Sequence, residues 1–513
     1  MLRNVLTTAL LACAPLAGAT PAADIDRLVD QAVARYDLPG IAVGVIEDGQ
    51  VVHLATRGRL AVDGQAAVDA DTLFKIASNT KAMTAAVLAR LVQAGKLRWD
   101  DPVTRHLPQF RMHDAWVSEH MQVRDLLIHN SGLGLGAGDL MLWPEPNDFG
   151  RADIIAGLAH LKPVTSFRSG YAYDNLLYVV AGEVAAAAAG RPFNQLLREE
   201  VFAPLGMDGC QAGQWSPAAH GNVAQPHYRG PSGNVVAGRD GDWEADLPSL
   251  AAGGVRCSLK DMLRWSQALL DPERVPGWLD AGQRRALWTA HMPMPIGERL
   301  RQWDNAHFLA YGYGWRLSDI DGQWKVAHTG TLSGMYSSLA LLPDARNGAV
   351  ILINGEGEAA RTALMQALLK RWTAPGAGLD VAHYAGLLDA ERGQQVAAGR
   401  VRPDTSTAQA VRPAAVAAQG IYRDPWFGEV SLCPAGGELQ WRSVRSPRLV
   451  ATVRQSGGRL LLDWHTQGED ADAWLLLGGQ GEGATMHLAA IDPDIDFSYD
   501  FQDLDFRWTG PCR

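Results

Sequence analysis

The apolar positions near the start of the chain predict a helix followed by a β-hairpin. Between residues 25 and 33 they recur at the three- and four-residue spacing of a helix face (Ile25, Leu28, Val29, Ala32 and Val33). Residues 41–46 are then almost entirely apolar, and the turn residues Asp48 and Gly49 separate them from a second apolar stretch at 51–55. Two such stretches joined by a short polar turn are typical of paired antiparallel strands.

The pattern in the middle of the chain predicts mainly helices, and strand patterns return only late. An apolar helical pattern begins after residue 78 and ends at Gly95, a residue type that commonly terminates helices. Strand patterns reappear at 337–342 and 349–354, with turn residues between them. We therefore expect one sheet assembled from both ends of a domain, with helices packed against it, which is an α/β (α+β) architecture.

The last part of the chain predicts a separate β domain. Residues 400–419 are rich in Ala, Pro, Thr and Val, which is typical of a linker. Beyond them, short β-like runs alternate with glycine-containing turns, at 429–432, 439–441, 459–462 and 473–477. This regular spacing predicts a small antiparallel sandwich or barrel.

Length and composition are those of a globular protein with more than one domain. The 513 residues exceed one typical domain, and 47% of them are hydrophobic whereas 20% are charged. The formal net charge of −10 argues against a nucleic-acid-binding protein, because such proteins usually need a basic patch.

The first residues have the features of an export signal. Arg3 is followed by an apolar stretch at 5–16 and by the small residues 17–19, where a signal peptidase would cut. The apolar stretch is too short to span a bilayer, and no later stretch predicts a transmembrane segment. We expect a signal peptide over residues 1–22 and a periplasmic or secreted protein. A buried N-terminal helix is the alternative, and Cys13 in a lipoprotein-like context leaves a lipid anchor open.

Four cysteines remain after removal of the predicted signal peptide. They are Cys210, Cys257, Cys433 and Cys512, and in an exported chain they permit two disulfides. Cys433 and Cys512 share the last segment and are a candidate pair, whereas buried free thiols are the alternative. No CxxC pair and no cluster of His and Cys predicts a metal site.

Ser78 and Lys81 form the first candidate catalytic pair. Residues at i and i+3 share a helix face, so the amine of Lys81 can reach the hydroxyl of Ser78. A serine hydroxyl is a weak nucleophile, and a neutral amine beside it can accept its proton if the surroundings lower the lysine pKa. The alternative is an N-cap serine with a solvated lysine, because a lone S-x-x-K occurs by chance in a chain of this size.

The sequence around this pair resembles the serine β-lactamase-like family. Residues 72–77 (TLFKIA) precede Ser78, and residues 123–133 (VRDLLIHNSGL) follow the next predicted helix. With the S-x-x-K motif they are similar to class C β-lactamases, low-molecular-weight penicillin-binding proteins and related, peptidase S12-like esterases and D-aminopeptidases. The resemblance covers about residues 25–369 and implies a β-lactamase/transpeptidase-like sheet flanked by helices, with a mostly helical subdomain.

The resemblance implies a second motif, tyrosine-x-asparagine, about a hundred residues after the serine. Tyr173 and Asn175 match it. Tyr173 would act as general base and acid, because a phenol beside a positive lysine ionises more easily. Asn175 would hydrogen-bond the amide on the acyl side of the substrate. Tyr171 lies two residues too early for the motif, and a buried tyrosine with a turn asparagine is the alternative.

The third motif implied by the resemblance is lysine or histidine, any residue, then glycine, on a strand edge. His328 and Gly330 match it, and Thr331 follows. His328 would line the cleft opposite Ser78, and Gly330 would let the substrate backbone approach closely. The backbone N–H groups of Ser78 and Thr331 would form an oxyanion hole. Strand or turn residues without a catalytic role are the alternative for this motif taken alone.

The C-terminal segments 422–429 and 496–504 are similar to a lipocalin-like β-barrel domain that is appended to many of these hydrolases. The barrel would either shape the entrance to the cleft or only stabilise the protein. The predicted division of the chain is a signal peptide (1–22), a β-lactamase-like serine hydrolase domain (23–375), a linker (376–418) and the β-barrel domain (419–513).

His328 stands where β-lactamases and transpeptidases of the family usually have lysine. A neutral histidine would hold a substrate carboxylate less firmly than lysine does. This favours an exported peptidase or amidase that forms a covalent acyl-enzyme on Ser78. A carboxylesterase or β-lactamase of the same fold is the alternative, and a non-catalytic protein that binds a ligand or cell-wall fragment is the alternative of another class. We expect a small-molecule or peptide substrate, no cofactor and no nucleic-acid partner; the sequence does not define the oligomeric state.

Overall fold

A computed structural model describes residues 21–332, 334–465 and 471–513. The predicted signal peptide lies outside these ranges except for Pro21 and Ala22, which begin the first helix. Cys13, the candidate lipid-anchor residue, also lies outside them. Both expectations therefore stay predictions.

The first helix, the hairpin and the late strands that the sequence pattern predicts are present, and further strands, most of them short, interrupt the helical middle of the chain between residues 74 and 332. The α-helices are α1 (Pro21–Tyr36), α2 (Thr80–Gln93), α3 (Val103–His106), α4 (Ala115–His120), α5 (Arg151–Gly157), α6 (Leu176–Ala189), α7 (Phe193–Leu197), α8 (Ala203–Leu205), α9 (Pro217–His220), α10 (Leu250–Gly253), α11 (Leu259–Leu270), α12 (Ala281–Leu287), α13 (Glu298–Asp304), α14 (Glu358–Thr373) and α15 (Val381–Ala397). The strands are β1 (Gly40–Glu47), β2 (Gln50–Gly58), β3 (Phe74–Lys75), β4 (His227–Gly230), β5 (Gly233–Val236), β6 (Arg256–Cys257), β7 (Met292–Pro293), β8 (Leu309–Tyr311), β9 (Arg316–Ile320), β10 (Gln323–Leu332), β11 (Met335–Leu342), β12 (Asn347–Ile353), β13 (Gln409–Ala410), β14 (Gly420–Asp424), β15 (Gly428–Ala435), β16 (Glu438–Ser443), β17 (Val450–Ser456), β18 (Arg459–Trp464), β19 (Ala473–Gly478), β20 (Thr485–Ala490) and β21 (Phe506–Gly510).

One eight-stranded sheet joins the two ends of the first domain. Its strand order is β2-β1-β12-β11-β10-β9-β8-β7. The first strand, β1, pairs with both β2 and β12, so that Val43 lies opposite Ala55 on one side and Ile351 on the other. The prediction of a single sheet built from early and late strands is therefore confirmed.

Helices cover both faces of this sheet and form the segment inserted between its strands. On one face α1 and α14 pack on β1 and β12 around a core that includes Ile41, Val43 and Ile351. On the other face α11 lies so close that a Cβ on Gly44 would clash with Leu263. In the inserted helical subdomain, α2 and α6 are buried on almost every side, as expected for helices that are apolar all round.

The predicted linker, 376–418, differs from the structure in its first half. Residues Val381–Ala397 form helix α15, which packs on α1 and α14 of the first domain. Val381 and Tyr384 are buried there, at the i, i+3 spacing of a helix face. Farther along, Gln409–Ala410 forms β13, which pairs with a strand of the second domain. The linker-like composition is confined to residues 400–419, and tertiary packing stabilises ordered elements both there and in the residues before them.

The second domain is a closed antiparallel barrel. Strands β14 to β21 run around it in the order β17-β16-β15-β14-β21-β20-β19-β18, and β18 pairs back with β17. Closure leaves no unpaired edge in the barrel wall. The predicted C-terminal β-barrel is therefore confirmed.

Both pairs of cysteines form disulfides. Cys210 is bonded to Cys257, and Cys433 is bonded to Cys512. The second pair is the one the sequence suggested, and neither pair consists of free thiols. Within the described ranges, no single helix has the length and apolar composition to cross a membrane, although α6 taken together with the bent segment Phe193–Leu205 does.

Candidate active site

Ser78 lies in a tight turn at the junction of sheet and helix. A single 3₁₀ turn, Ala77–Asn79, connects the short strand β3 to α2. Ala77 has a φ of 47°, in the left-handed region that residues other than glycine rarely adopt. Backbone in such a region persists only where the surrounding structure holds it, and it is often found at functional sites.

The strands of the main sheet hold this turn in place. On β11, the hydroxyl of Ser337 donates a hydrogen bond to the carbonyl of Ile76 at 2.6 Å and accepts one from the side-chain amide of Asn79 at 2.7 Å. On β10, a Cβ on Gly330 would clash with the carbonyl oxygen of Ile76 and with Ser337. The absence of a side chain at Gly330 thus allows the backbone at Ile76 to approach β10 closely, whereas the sequence predicted that it allows the substrate backbone to approach.

Lys81 is fully buried and makes three polar contacts. Its Nζ lies 3.2 Å from the hydroxyl of Ser78, 2.6 Å from Oδ1 of Asn175 and 2.7 Å from the carbonyl oxygen of Ala252. A neutral amine has two N–H donors and one lone pair. If the donors serve Asn175 and Ala252, the lone pair faces the proton of Ser78.

Burial also changes the acidity of Lys81. Burial, opposed by the charges of Asp139 and Asp174 and aided by the positive charge of Arg316, lowers the pKa of Lys81 to about 7. A substantial fraction of Lys81 is therefore a free amine at neutral pH, which is the form that can accept a proton.

Tyr173 lies against both members of this pair. Its ring centroid is 4.8 Å from Nζ of Lys81, and its phenol is a hydrogen-bond partner of Ser78. Burial raises the pKa of Tyr173 well above its usual value, and the opposing effects of Arg316 and Ser78 are smaller. The sequence-based expectation that Tyr173 ionises easily is therefore wrong for this structure: burial keeps it a neutral phenol.

Asn175 links Lys81 to a buried carboxyl group. Its Nδ2 donates to Oδ2 of Asp139 at 2.7 Å, and the same oxygen accepts a hydrogen bond from Ser498 of the barrel domain at 3.0 Å. Burial raises the pKa of Asp139 well above its usual value. In this structure Asn175 orients the amine of Lys81, and its predicted contact with substrate stays a prediction.

His328 is neutral and buried rather than displayed in the cleft. Its Nδ1 lies 2.7 Å from the carbonyl oxygen of Thr329 and must donate to it, so Nε2 accepts a hydrogen bond from the hydroxyl of Tyr311 at 2.7 Å. Burial, aided by the charges of Arg316 and Lys81, holds the pKa of His328 well below its usual value. The predicted neutrality agrees with these contacts, but the side chain is only 1% exposed and does not line an open surface.

Thr331 is exposed on β10, next to the Ser78 turn. Because alternate residues of a strand share a face, Thr329 and Thr331 point to the same side while His328 and Gly330 point to the other. The close packing of Gly330 against Ile76 brings this part of β10 beside the turn that holds Ser78. The N–H of Thr331 as an oxyanion donor stays a prediction.

Sequence reasoning missed the residues that surround the predicted motifs. Asp139 and Arg316 come from segments that carry no recognisable pattern of their own, and Ser498 lies in segment 496–504, which the sequence indicated only as part of the barrel domain. For Arg316 the only signal is positional: it lies opposite Ala327 on the neighbouring strand, one residue before His328. In the described ranges no three His, Cys, Asp or Glu side chains are placed to hold a metal ion.

The fold and this site are those of a serine hydrolase of the β-lactamase and penicillin-binding-protein type. The chain belongs to the Beta-lactamase family, whose sequence profile matches residues 25–371.

Two relatives and one solved structure indicate the range of this similarity. An unguisins hydrolase, ungD', of Aspergillus campestris (strain IBT 28561) is 28% identical over 62% of this chain and 59% of its own length. Penicillin-binding protein 4 of Amycolatopsis lactamdurans is 30% identical over 63% of this chain and 82% of its own length. The octameric penicillin-binding protein homologue from Pyrococcus abyssi superimposes with a TM-score of 0.60 at 18% identity, covering 94% of this chain and 99% of that one.

Proposed function

We propose that this protein is an exported serine hydrolase that forms a covalent acyl-enzyme on Ser78. One observation carries the proposal: a fully buried lysine, with its pKa lowered to about 7, lies 3.2 Å from the serine hydroxyl. An amine in this state is matched to proton transfer at neutral pH. The two disulfides support the exported location, because disulfides persist mainly in oxidising compartments.

The reaction begins with transfer of the Ser78 proton to the free amine of Lys81. The serine oxygen attacks the carbonyl carbon, and the developing oxyanion is bound by the N–H groups of Ser78 and Thr331. When the bond to the leaving group breaks, the neutral phenol of Tyr173 donates its proton to the leaving atom and is reprotonated by Lys81. Water then attacks the ester, the proton path runs in reverse, and the acid product leaves with Ser78 restored.

A peptidase or amidase is the activity that we favour within this mechanism. A neutral phenol as proton donor suits an amide, since an amine leaves only when it is protonated. A relative is named as a hydrolase of unguisins and another as a penicillin-binding protein. A carboxylesterase or β-lactamase of the same fold is the second candidate, and a non-catalytic binding protein is the candidate of another class.

A fluorophosphonate probe tests the proposed mechanism directly. The wild-type protein should be labelled covalently, and Ser78→Ala should not. Ser169→Ala is a matched control, because Ser169 is exposed and, among the residues that the structure describes, its hydroxyl hydrogen-bonds only to Ser166 of its own turn. Equal labelling of wild type and Ser78→Ala would contradict the assignment of Ser78, and no labelling of wild type would favour the binding protein.

The two hydrolase candidates are separated by their substrates. Kinetics on D-alanine p-nitroanilide should show turnover that Ser78→Ala lacks. Turnover of p-nitrophenyl butyrate without any turnover of the anilide would instead support the carboxylesterase.

A further inference from the structure

Arg361 is a buried cation in the first turn of α14, where this helix packs on β11 and β12. It is only 7% exposed, and its guanidinium carbon lies 5.1 Å from the ring centroid of Tyr336. No carboxylate among the described residues forms an ion pair with it; Glu358, one turn away, acts on it only from a greater distance. A buried charge without a counter-ion is costly, and arginine cannot release its proton. Packing alone therefore does not account for a cation at this position.

The guanidinium of Arg361 hydrogen-bonds to the backbone of β10 and β11. Its Nη1 donates to the carbonyl oxygen of Gly330 and lies 3.4 Å from the carbonyl oxygen of Ser337. Gly330 and Ser337 lie directly opposite each other in the β10–β11 pair. One nitrogen can contact both carbonyl oxygens only if they face each other across the pair. The carbonyl of Gly330 therefore points toward β11.

The other half of the same peptide group is the predicted oxyanion donor. The carbonyl of Gly330 and the N–H of Thr331 belong to one planar trans peptide, in which the two groups point in opposite directions. The N–H of Thr331 therefore points away from β11. Strand β9 pairs with β10 only as far as Ala327, so among the described residues no strand lies beside residue 331 at that edge. A substrate oxygen can approach the N–H there, as the proposed mechanism requires.

A positive charge on the carbonyl side of a peptide strengthens its N–H as a donor. A hydrogen bond accepted by the carbonyl draws electron density from the amide nitrogen, and linked hydrogen bonds reinforce one another in this way. The reinforcement is larger when the donor is charged, as a guanidinium is. Fixed dipoles and charges that are aimed at the developing oxyanion stabilise the transition state without reorganisation. Arg361 and the oxyanion would lie at opposite ends of the Gly330–Thr331 peptide.

We propose that Arg361 is a positioning residue of the oxyanion hole, which fixes the Gly330–Thr331 peptide and polarises it toward the oxyanion formed when Ser78 attacks. Arg361 acts through the peptide and does not touch the substrate. The inference deepens the proposed function and rests on it. Arg361 belongs to none of the three sequence motifs, and only the packing of α14 on the sheet brings it to this peptide.

The rate of fluorophosphonate labelling, measured as a function of pH, tests the role of Arg361. In this reaction the oxygen of Ser78 bonds to phosphorus, its proton passes to Lys81, and fluoride leaves. Negative charge develops on the phosphoryl oxygen, as it does on the carbonyl oxygen of a substrate. The measured quantities are the second-order rate constant on the high-pH plateau and the pH at which half of this rate is reached.

We expect the plateau rate constant to fall by about tenfold in Arg361→Met, because a weaker donor stabilises the oxyanion less. The pH midpoint should stay at the wild-type value. Arg361→Lys keeps the charge and most of the reach, and its rate constant should lie within about threefold of wild type. Arg361→Gln keeps an N–H donor without the charge; it should be as slow as Arg361→Met and replaces that variant if it does not fold.

Arg371→Met is the matched control. Arg371 lies on the same helix, is also largely buried and pairs with Asp24 of α1, with Nε 3.1 Å from Oδ2. Its removal weakens the docking of α14 without touching the Gly330–Thr331 peptide. We expect a lower Tm, with the plateau rate constant and the pH midpoint of labelling unchanged.

Three outcomes would overturn the role of Arg361. The first is a wild-type plateau rate in Arg361→Met and Arg361→Gln, and the second is labelling of Arg361→Lys as slow as theirs. The third is a rise of the pH midpoint in the neutral variants: a merely structural role would let water reach the site, and loss of burial would raise the pKa of Lys81 toward its ordinary value.

The same experiment separates this inference from the proposed function. A wild-type protein that is not labelled refutes the serine mechanism, and the role of Arg361 falls with it. A wild-type protein that is labelled at a rate insensitive to position 361 refutes only the role of Arg361.

Discussion

Ser498 of the barrel domain donates a hydrogen bond to Asp139 of the hydrolase domain, at 3.0 Å. The same oxygen of Asp139 accepts a hydrogen bond from Nδ2 of Asn175. Oδ1 of Asn175 in turn lies 2.6 Å from Nζ of Lys81. Beside it, the ring of Phe497 packs edge-on against Tyr173 at 5.6 Å between centroids. The loop between β20 and β21 therefore contacts the candidate active site, although it lies in another domain.

Removal of the Ser498 hydroxyl should impair catalysis more than substrate binding. Ser498→Ala leaves Asp139 with one fewer donor, which loosens the orientation of Asn175 and Lys81. We expect kcat for p-nitrophenyl butyrate to fall by about tenfold, equivalent to about 1.4 kcal/mol, with little change in KM. Steady-state kinetics measure both quantities.

Two variants control this experiment. Ser498→Thr keeps the hydroxyl and should retain most of the activity. Ser456→Ala removes a hydroxyl from the far end of β17 and should have no effect. If Ser498→Ala has wild-type kcat, the barrel domain does not support the site in the way proposed here.

The pH dependence should follow the ionisation of Lys81. Only the free amine accepts the Ser78 proton, and burial lowers the pKa of Lys81 to about 7. We therefore expect kcat/KM to be lost as the pH falls through about 7 and to be retained above it. A neutral substrate such as p-nitrophenyl butyrate ensures that the titration is that of the enzyme. A profile that stays flat across neutral pH would contradict the role of Lys81.

A methyl group at position 330 should displace the nucleophile. In Gly330→Ala the new Cβ would overlap the carbonyl oxygen of Ile76, two residues before Ser78. Backbone must move to relieve this overlap, so we expect the rate of fluorophosphonate labelling to fall by about 10²-fold. Overpacking of this kind also costs stability, by about 1–3 kcal/mol.

The matched control for this variant is a glycine whose Cβ has space. Gly386 lies within α15, and a Cβ there would meet no atom within 4 Å. Gly386→Ala should leave labelling unchanged and slightly raise the melting temperature, because alanine favours the helix. Wild-type labelling of Gly330→Ala would show that the turn before Ser78 tolerates displacement.

The disulfide between Cys210 and Cys257 should stabilise the hydrolase domain. It links residues 47 apart, for which restriction of the unfolded chain contributes about 4 kcal/mol. The double variant Cys210→Ser, Cys257→Ser should therefore have a lower Tm in thermal denaturation. Reductant should lower the Tm of wild type by more than that of the variant, in which only Cys433–Cys512 remains. Equal sensitivity of the two proteins would contradict a stabilising role.

Local patterns in the sequence were sufficient to predict the first helix, the hairpin that follows it and the contact between Ser78 and Lys81. The helix face from Ile25 to Val33 predicts α1, and the two apolar stretches after it predict the hairpin of β1 and β2. Ser78 and Lys81 are three residues apart on one helical turn, so their contact follows from helix geometry alone. These features depend on neighbours along the chain, which the sequence displays directly.

Other features were decided by residues that are distant along the chain. The acidity of Tyr173 depends on burial, and the environment of Gly330 depends on how β10 packs against the turn at Ile76. Helix α15 formed within the predicted linker, 376–418, because α1 and α14 cover its apolar face. Desolvation and packing are properties of the whole fold, so a pattern of neighbouring residues does not reveal them.

The sequence by itself determined the class of fold, the position of the first helix and hairpin, and the serine–lysine pair, because each depends on the spacing of residues that are close along the chain. The tertiary structure decided the charge and orientation of the site: it brought Arg316 from β9 and Ser498 from the barrel domain to the same cluster. Electrostatic and hydrogen-bond interactions act through space over a few ångströms, and only the folded chain brings residues 81, 139, 316 and 498 within that range.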